Sequence, residues 1–325
     1  NIGFDLTALS NRLTAGFDFY VKNTSDLLVP ANWSALVGNA SKPSINIGDM
    51  KNRGIDLSIG WRDKVGEFGY NITANISRYK NEVTRLGSSD LFNDTRLSKV
   101  NITTVGQPVG MFYGYQIDGI YQNEQDVISS GVLPYGVATE NDLVASAWVG
   151  RYKMKDVNND GKIDADDRTI IGNPHPDLTG GFNISLTWRD FDLSTYMYYS
   201  IGNDLYKHYE YYTMFGNLQS NYSKDRLAKS WDPVNNPNGI YPLWTTTSTE
   251  GPEAGNESNS NYVQDGSYLR MQTLTLGYSL PKKLLKKIGF EKIRVYGQIS
   301  NVFTITGYDG LDPEVRSHTS FENEY

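Results

Sequence analysis

The stretch GGFNISLTWRDFDLSTYMYYS, residues 180–200, decides the fold of this 325-residue chain. Apolar side chains alternate with polar ones along its first half, at Phe182, Ile184, Leu186 and Trp188. Successive side chains of a β-strand point to opposite faces, so the alternation predicts a strand with one apolar face and one polar face. The Arg189–Asp190 pair then predicts a very tight turn into a second strand.

The same alternation returns along the chain and predicts about eight strands. They lie at residues 1–6, 12–22, 54–62, 67–78, 180–189, 191–200, 268–280 and 291–303. Short turns such as Asp63–Gly66 alternate with long polar connections, of which the longest cover residues 81–177 and 203–266. This asymmetry is typical of a transmembrane antiparallel β-barrel with long extracellular loops. We therefore predict an all-β barrel, with a soluble all-β protein as the alternative.

The alternation also predicts which side chains meet lipid, because a slip of one residue would place every polar group in hydrocarbon. The residues expected to face lipid are Leu13, Phe17, Phe19, Ile55, Leu57, Ile59, Phe182, Ile184, Leu186, Ile293 and Val295. The residues expected to face the lumen are Asp18, Asn183, Ser185, Thr187, Arg294 and Gln298.

Composition narrows the function classes. No apolar run approaches the roughly 18 residues of a spanning helix, and the mean hydropathy is -0.49. The net charge is -7 with scattered basic residues, which argues against nucleic acid as a partner. Cysteine is absent, which excludes disulfides and thiol chemistry. Only three histidines occur, and no HExxH, GxSxG, P-loop or GxGxxG motif is present, so we expect no enzymatic activity.

Residues 156–167, DVNNDGKIDADD, form the sharpest local motif. Oxygen-bearing side chains occupy loop positions one, three, five, nine and twelve, and Gly161 stands at position six, where a calcium loop turns sharply. The predicted ligands of a structural calcium ion are Asp156, Asn158, Asp160, the Lys162 carbonyl, Asp164 and Asp167. Asp at position twelve has a shorter reach than the usual Glu and predicts modest affinity. An acidic turn without metal is the alternative.

Aromatic residues are frequent in the two long connections and are candidates for ligand contact. Flat rings stack on sugar rings or on peptide side chains. The candidate ligand-binding residues are Tyr113, Tyr115, Tyr211, Tyr212, Trp231 and Trp244. The alternative is that these rings fix the loops or contact a partner protein.

Four stretches together carry a family resemblance. They are VGQPVGMFYGYQIDGIYQ (105–122), IGNPHPDLTGGFNISLTWRDFDLSTYMYYSIGNDLY (171–206), YLRMQTLTLGYSLP (268–281) and VYGQISNVFTITGYDGLDPEV (295–315). In order and spacing they resemble the C-terminal barrel portion of the SusC-like TonB-dependent transporters of Bacteroidetes.

The resemblance implies a 22-stranded barrel in the bacterial outer membrane, with an N-terminal plug, TonB as energy source and a SusD-like surface lipoprotein as a lid. Its cargo would be oligosaccharides or oligopeptides. Both ends of the sequence read as cut, so we expect residues 1–325 to be the C-terminal part of the barrel, without the plug domain and the final strand. Two other classes stay open: a passive porin or adhesin barrel, and a secreted calcium-stabilised β-domain that binds glycans.

Overall fold

The computed structural model describes residues 1–30, 44–87, 90–93, 97, 99–215, 221–244 and 251–314. The described chain divides into two compact units. The sheet unit comprises Asn1–Gly87, His175–Asn203 and Asp265–Tyr325, and the loop unit comprises Ser88–Pro174 and Asp204–Gln264. The long connections predicted at residues 81–177 and 203–266 agree closely in their bounds with the two segments of the loop unit.

The strands are β1 (Ile2–Ala8), β2 (Leu13–Pro30), β3 (Ser44–Val65), β4 (Phe68–Arg85), β5 (Leu91–Asn93), β6 (Asn101–Thr103), β7 (Met111–Gly114), β8 (Ile117–Ile120), β9 (Tyr152–Met154), β10 (Thr169–Gly172), β11 (Leu178–Trp188), β12 (Phe191–Ile201), β13 (Asp204–Tyr206), β14 (Val263–Asp265), β15 (Tyr268–Ser279) and β16 (Arg294–Thr306). The α-helices are α1 (Glu124–Ser129), α2 (Tyr209–Thr213), α3 (Lys224–Lys229) and α4 (Lys282–Ile288). Short 3₁₀-helices cover Glu140–Asp142, Ala145–Ala147, Ala165–Asp167, Pro252–Ala254 and Ser260–Tyr262.

The sheet unit is one antiparallel sheet of eight strands in the order β1-β2-β3-β4-β11-β12-β15-β16. Each of the eight predicted strands is present, which confirms the predicted all-β antiparallel fold. Three strands are much longer than predicted, because residues 23–52 and the first residues of 81–177 were expected to belong to polar connections. Instead β2 continues to Pro30, β3 begins at Ser44 and β4 continues to Arg85. Asn23 pairs with Lys51 in this extension. Residues 31–43 lie outside the described part.

The pairing register sorts side chains by polarity across the whole sheet. One row that crosses all strands from β2 to β16 is Leu13, Trp61, Ile72, Ile184, Thr195, Leu274 and Ile299. The next row, on the opposite face, is Thr14, Gly60, Thr73, Asn183, Tyr196, Thr273 and Ser300. Apolar side chains on the first face are exposed, among them Phe4, Ile55, Ile59, Phe182 and Val295. A continuous exposed apolar face is what a lipid-facing wall requires.

Arginine–carboxylate pairs connect neighbouring strand ends at the short-turn end of the sheet. Arg12 contacts Asp63 at 3.1 Å. Arg189, which adopts a left-handed φ of 52° in the β11–β12 turn, contacts Glu67 of the β3–β4 turn at 2.5 Å. Arg294 reaches across β15 to Asp192 at 2.5 Å. Each of these exposed pairs contributes little to the free energy of unfolding. Each of them joins residues that are more than fifty positions apart in the sequence.

The loop unit has its own core, formed by both of its chain segments. The core contains Leu97, Val100, Tyr115, Tyr152, Met154 and Ile163 from the first segment and Met214, Phe215, Tyr241 and Tyr262 from the second. Small sheets surround it, with strand order β10-β7-β6-β5 in the largest and the pairs β8-β9 and β13-β14 beside it.

Among the residues that the structure describes, no helix has the length and apolar character needed to cross a membrane.

The two faces of β11 predict opposite responses to the same substitution. Ile184→Arg places a charge on the exposed apolar face and should cost roughly 2–4 kcal/mol if this face lies near the middle of a bilayer. Ser185→Arg, one residue further on the polar face, should cost much less. Unfolding from lipid vesicles with urea, followed by tryptophan fluorescence, measures both variants. Equal destabilisation at the two positions would contradict the assignment of faces.

Candidate functional site

The two segments of the loop unit are joined by backbone pairing around Tyr115. The Tyr115 N–H donates to the Ser258 carbonyl at 2.8 Å, and the Ser260 N–H donates to the Tyr115 carbonyl at 2.9 Å. The Ser258 hydroxyl donates to the Tyr113 carbonyl at 2.6 Å. Gly114 permits this approach, because a Cβ atom there would lie 2.3 Å from the Ser258 carbonyl oxygen. The junction therefore joins the two chain segments that carry the six candidate aromatic residues.

Two of the six candidate ligand-binding aromatics are core residues. Tyr115 is 1% exposed, the guanidinium of Arg168 lies 5.0 Å from its ring centre, and burial raises its pKa to about 12. Trp231 is 2% exposed, and its indole N–H donates to the Gln122 amide oxygen at 2.9 Å. Neither ring presents a face to solvent, so for both residues the structure favours the loop-fixing alternative.

The other four candidates are half-buried and lie in three separate aromatic contacts. Tyr211 and Tyr212 meet edge to face at 5.2 Å, and the His208 ring lies 5.7 Å from Tyr212. Trp244 meets Tyr222 at 4.5 Å. Tyr113 meets Phe92 at 5.5 Å. The structure thus gives no single ring cluster from the predicted set. It adds His208 and Tyr222, which the sequence did not single out.

Buried charge holds the second segment of the loop unit. Lys207 and Glu210, both nearly inaccessible, form an ion pair at 2.6 Å. The buried guanidinium of Arg226 donates to the carbonyls of Met214 and Pro242, each at 2.8 Å, and to the Ser230 hydroxyl. Its pKa is lowered by burial. Phe215, Tyr241 and Trp244 surround it at 5.2–5.7 Å. The role of this buried guanidinium is therefore structural, because its hydrogen bonds connect three parts of the second segment.

The predicted calcium loop is a curled turn closed by hydrogen bonds from its own backbone. The Asp156 carboxylate accepts from the N–H groups of Asn159 and Gly161 at 2.6 and 2.8 Å. Gly161 has a left-handed φ of 83°, as the sharp turn at position six requires. The Ile163 N–H donates to the Leu133 carbonyl at 2.8 Å, and the Ile163 side chain is buried in the core. The loop is thereby attached to the unit through position eight.

The oxygen atoms of this loop already have partners. The buried Asp167 carboxylate accepts from the N–H groups of Val157 and Asp164, each at 2.8 Å, and so joins the two ends of the loop. The Lys162 ammonium lies 2.6 Å from Asp164, and this contact lowers the pKa of the Asp164 carboxyl. Within the described residues, no group of three or more acidic or histidine side chains is arranged to hold a metal ion. The residue types fit calcium. In this structure, however, the positive charge beside Asp164 is the Lys162 ammonium.

Glu253 is a buried carboxyl without an ion-pair partner among the described residues. The 3₁₀-helix Pro252–Ala254 carries it, and Gly255 ends that helix in the left-handed conformation. Its Oε1 accepts from the Tyr135 N–H at 2.7 Å, and its Oε2 has no hydrogen-bond partner in the described part of the chain. Burial raises its pKa from 4.5 to about 7, against the opposing effects of the Tyr135 N–H and the Arg151 charge. The residue connects two loops of the unit.

The apolar and polar faces, the short turns and the large loop unit together define a segment of the wall of a transmembrane β-barrel. No family model matches the chain. The chain is 33% identical to TonB-dependent receptor P3 of Formosa agariphila, over 100% of this chain and 32% of that protein. It is 29% identical to TonB-dependent receptor SusC of Bacteroides thetaiotaomicron, over 98% of this chain and 29% of that protein.

Solved structures give the same result. The RagAB peptide importer in its "closed-closed" state matches with a TM-score of 0.73 and 25% identity, over 96% of this chain and 32% of that chain. The chain belongs to the SusC-like TonB-dependent transporters, and it spans about a third of the length of the relatives it matches. These relatives are named as receptors and transporters, in agreement with the expectation that the chain is not an enzyme.

The Glu253 carboxyl predicts a pH dependence of loop-unit stability. The pKa of Glu253 is higher in the folded state than in the unfolded state. The contribution of the protonated carboxyl to the free energy of unfolding is therefore fully present below pH 4.5, and it is lost as the pH rises to about 7. The loss should approach about 3 kcal/mol. Hydrogen exchange at the Tyr135 amide, corrected for the intrinsic rate, measures it.

Glu253→Gln should remove this dependence, since the amide oxygen can still accept from Tyr135 and no proton is bound. Glu140→Gln, at an exposed glutamate of the same unit, is the control and should retain the dependence. Identical pH profiles for the native protein and Glu253→Gln would refute the prediction.

Proposed function

We propose that the protein containing this chain imports oligomeric nutrients across the bacterial outer membrane in a TonB-dependent manner. The single observation that carries this proposal is similarity to TonB-dependent receptors along nearly the whole chain, in sequence and in structure. Because the chain spans about a third of those relatives, the activity is proposed for the whole protein.

In this proposal the sheet unit is part of the barrel wall. The polar face, which carries Asp18, Asn183, Ser185, Thr187, Arg294 and Gln298, lines the lumen, and the apolar face meets lipid. The short turns lie in the periplasm, and the loop unit is extracellular. The extended β2–β3 pair would then rise beyond the bilayer, where polar residues on both faces of a strand meet water.

The cargo class is an oligosaccharide or an oligopeptide, and a SusD-like surface lipoprotein is the proposed lid. The rings of Tyr211 and Tyr212, beside His208, are candidates for cargo contact, since both are only half-buried and each carries a hydroxyl group. Exposed apolar side chains of the loop unit, Leu227 at 72% and Val234 at 83%, support a protein partner there. A peptide cargo is consistent with the RagAB peptide importer as a structural neighbour.

We further propose that residues 156–167 bind a structural calcium ion in an environment rich in calcium. The supporting observations are the spacing of oxygen donors and the left-handed turn at Gly161. Each carboxylate oxygen has a second lone pair, so the backbone hydrogen bonds of Asp156 and Asp167 are compatible with metal binding. Binding would require the Lys162 ammonium to leave Asp164.

Two other functions make different demands. A passive porin or adhesin barrel would work without TonB. A secreted calcium-stabilised β-domain would remain in solution without detergent, and the exposed apolar face of the sheet disfavours it.

Uptake of labelled oligosaccharide and oligopeptide pools by cells that produce the full-length protein should stop when TonB is deleted or when the proton gradient is collapsed. An active importer of this class needs both TonB and the proton gradient in order to release its cargo. A variant of the same strain without the protein gives the background. Uptake that persists without TonB would support the passive porin, and the pool that is taken up identifies the cargo class.

Chelation of calcium should increase protease cleavage within residues 88–174 several-fold without unfolding the barrel, because the acidic loop loses its counter-charge. Asp160→Ala should reproduce the effect in the presence of calcium. The control is Asp166→Asn, which removes a carboxylate of the same loop that is not a predicted ligand. Unchanged cleavage upon both chelation and Asp160→Ala would exclude the calcium site.

A further inference from the structure

Helix α4 is an unusual connection for its place in the fold. The other three connections at this end of the sheet are short, with residues 9–12 between β1 and β2, Gly66–Glu67 between β3 and β4, and Arg189–Asp190 between β11 and β12. Between β15 and β16 the chain instead forms a seven-residue helix, KKLLKKI. This helix places four lysines in a chain whose net charge is -7.

Three of the four lysines of α4 have no charged partner among the residues that the structure describes. Lys282, Lys283 and Lys286 are exposed, and within the described residues none of them has an ion pair or a hydrogen-bond acceptor. Arginines of the neighbouring strand ends behave differently, because Arg12 and Arg189 are paired with carboxylates across the turns. The helix therefore presents an uncompensated positive surface.

The helix is held in a fixed position by a few contacts. Leu285 is buried at 2% exposure. Gly289 ends the helix in the left-handed conformation with φ 76°, and the Phe290 N–H donates to the Leu285 carbonyl at 3.1 Å. On the return to β16, the Leu280 N–H donates to the Ile293 carbonyl at 2.9 Å. The lysines are thus carried by an anchored element.

Exposed aromatic side chains mark the level of the membrane interface at this end of the sheet. Trp188 is 53% exposed, and Phe68 and Phe191, its partners on the adjacent strands, are also exposed. Phe290 follows the helix and is 58% exposed. Rings of this kind form a girdle where the acyl chains meet the headgroups. Because α4 begins four residues after Tyr278, which pairs with Phe191, its lysines would lie near the headgroups of a bilayer with this girdle.

We propose that α4 binds anionic phospholipid headgroups of the leaflet at the short-turn end of the sheet. Long lysine side chains reach from the protein to the headgroup layer, and clustered lysines attract anionic lipids electrostatically. Charge complementarity selects phospholipid phosphate with net negative charge over zwitterionic lipid. The surface anchors one end of the wall, independently of what is transported.

The test uses the full-length protein in nanodiscs or detergent, with phosphatidylglycerol as the probe and phosphatidylcholine as the zwitterionic reference. Native mass spectrometry counts the retained lipids, and fluorescence-labelled lipid gives an affinity. We expect preferential retention of phosphatidylglycerol. The triple variant K282Q/K283Q/K286Q should bind it about tenfold or more weakly, since each lysine near a charged surface contributes roughly a fivefold effect. Added salt should reduce the preference.

The matched control is K22Q/K155Q/K224Q, which makes the same change of charge at three exposed lysines elsewhere and should keep the preference. The arginine variant K282R/K283R/K286R should also keep it. Heat-modifiable migration on gels checks that every variant is folded. Equal lipid retention by the native protein and the glutamine variant would overturn the proposal, as would an equal loss in the control. So would binding of a periplasmic protein by α4 with no lipid preference.

Discussion

A peptide group inside a bilayer has no water to bond with, so each N–H and C=O of a spanning segment must find its partner within the protein. Pairing on both sides meets this requirement for the six inner strands of the sheet, and almost everything else in the sheet unit follows from the register of this pairing. Side chains alternate along a strand, so the register that pairs Ile72 with Ile184 also pairs Thr73 with Asn183 on the opposite face. One choice of backbone pairing therefore decides which residues meet lipid and which face the other way.

The loop unit solves a different problem, because water is available and a core must be made from polar, tyrosine-rich connections. Tyrosine supplies apolar ring area, but its hydroxyl needs a partner when buried. The Tyr152 hydroxyl donates to the Ile240 carbonyl at 3.1 Å, and the Tyr262 hydroxyl donates to the Gly255 carbonyl at 2.7 Å. Burial raises the pKa of both hydroxyls, so they remain donors. The same rings that fill the core thus connect distant parts of the loops.

The sequence predicted the strands well where alternation is strict and less well where it fades. Beyond Val21, polar residues occupy both faces of β2, although the backbone remains paired as far as Pro30. In this extension Arg85 binds both Asp26 and Asp49, a connection between distant residues that no local pattern reveals.

The candidate site shows the same limit. Tyr115 and Tyr211 look alike in sequence, but Tyr115 is buried in a core that includes Tyr241 and Tyr262, more than a hundred positions away. Likewise, spacing reveals the oxygen atoms of residues 156–167 but not the N–H groups and the ammonium that engage them.

The core of the loop unit, which is built from two chain segments, has a consequence for the order in which the protein folds. Tyr152 and Ile163 need Phe215 and Tyr262 to complete it, and two strands of the sheet, β11 and β12, lie between these segments along the chain. Contacts so distant in sequence form late. During biogenesis, this core can therefore be completed only after residues 204–264 have been made, and until then the core side chains of residues 88–174 lack part of their packing.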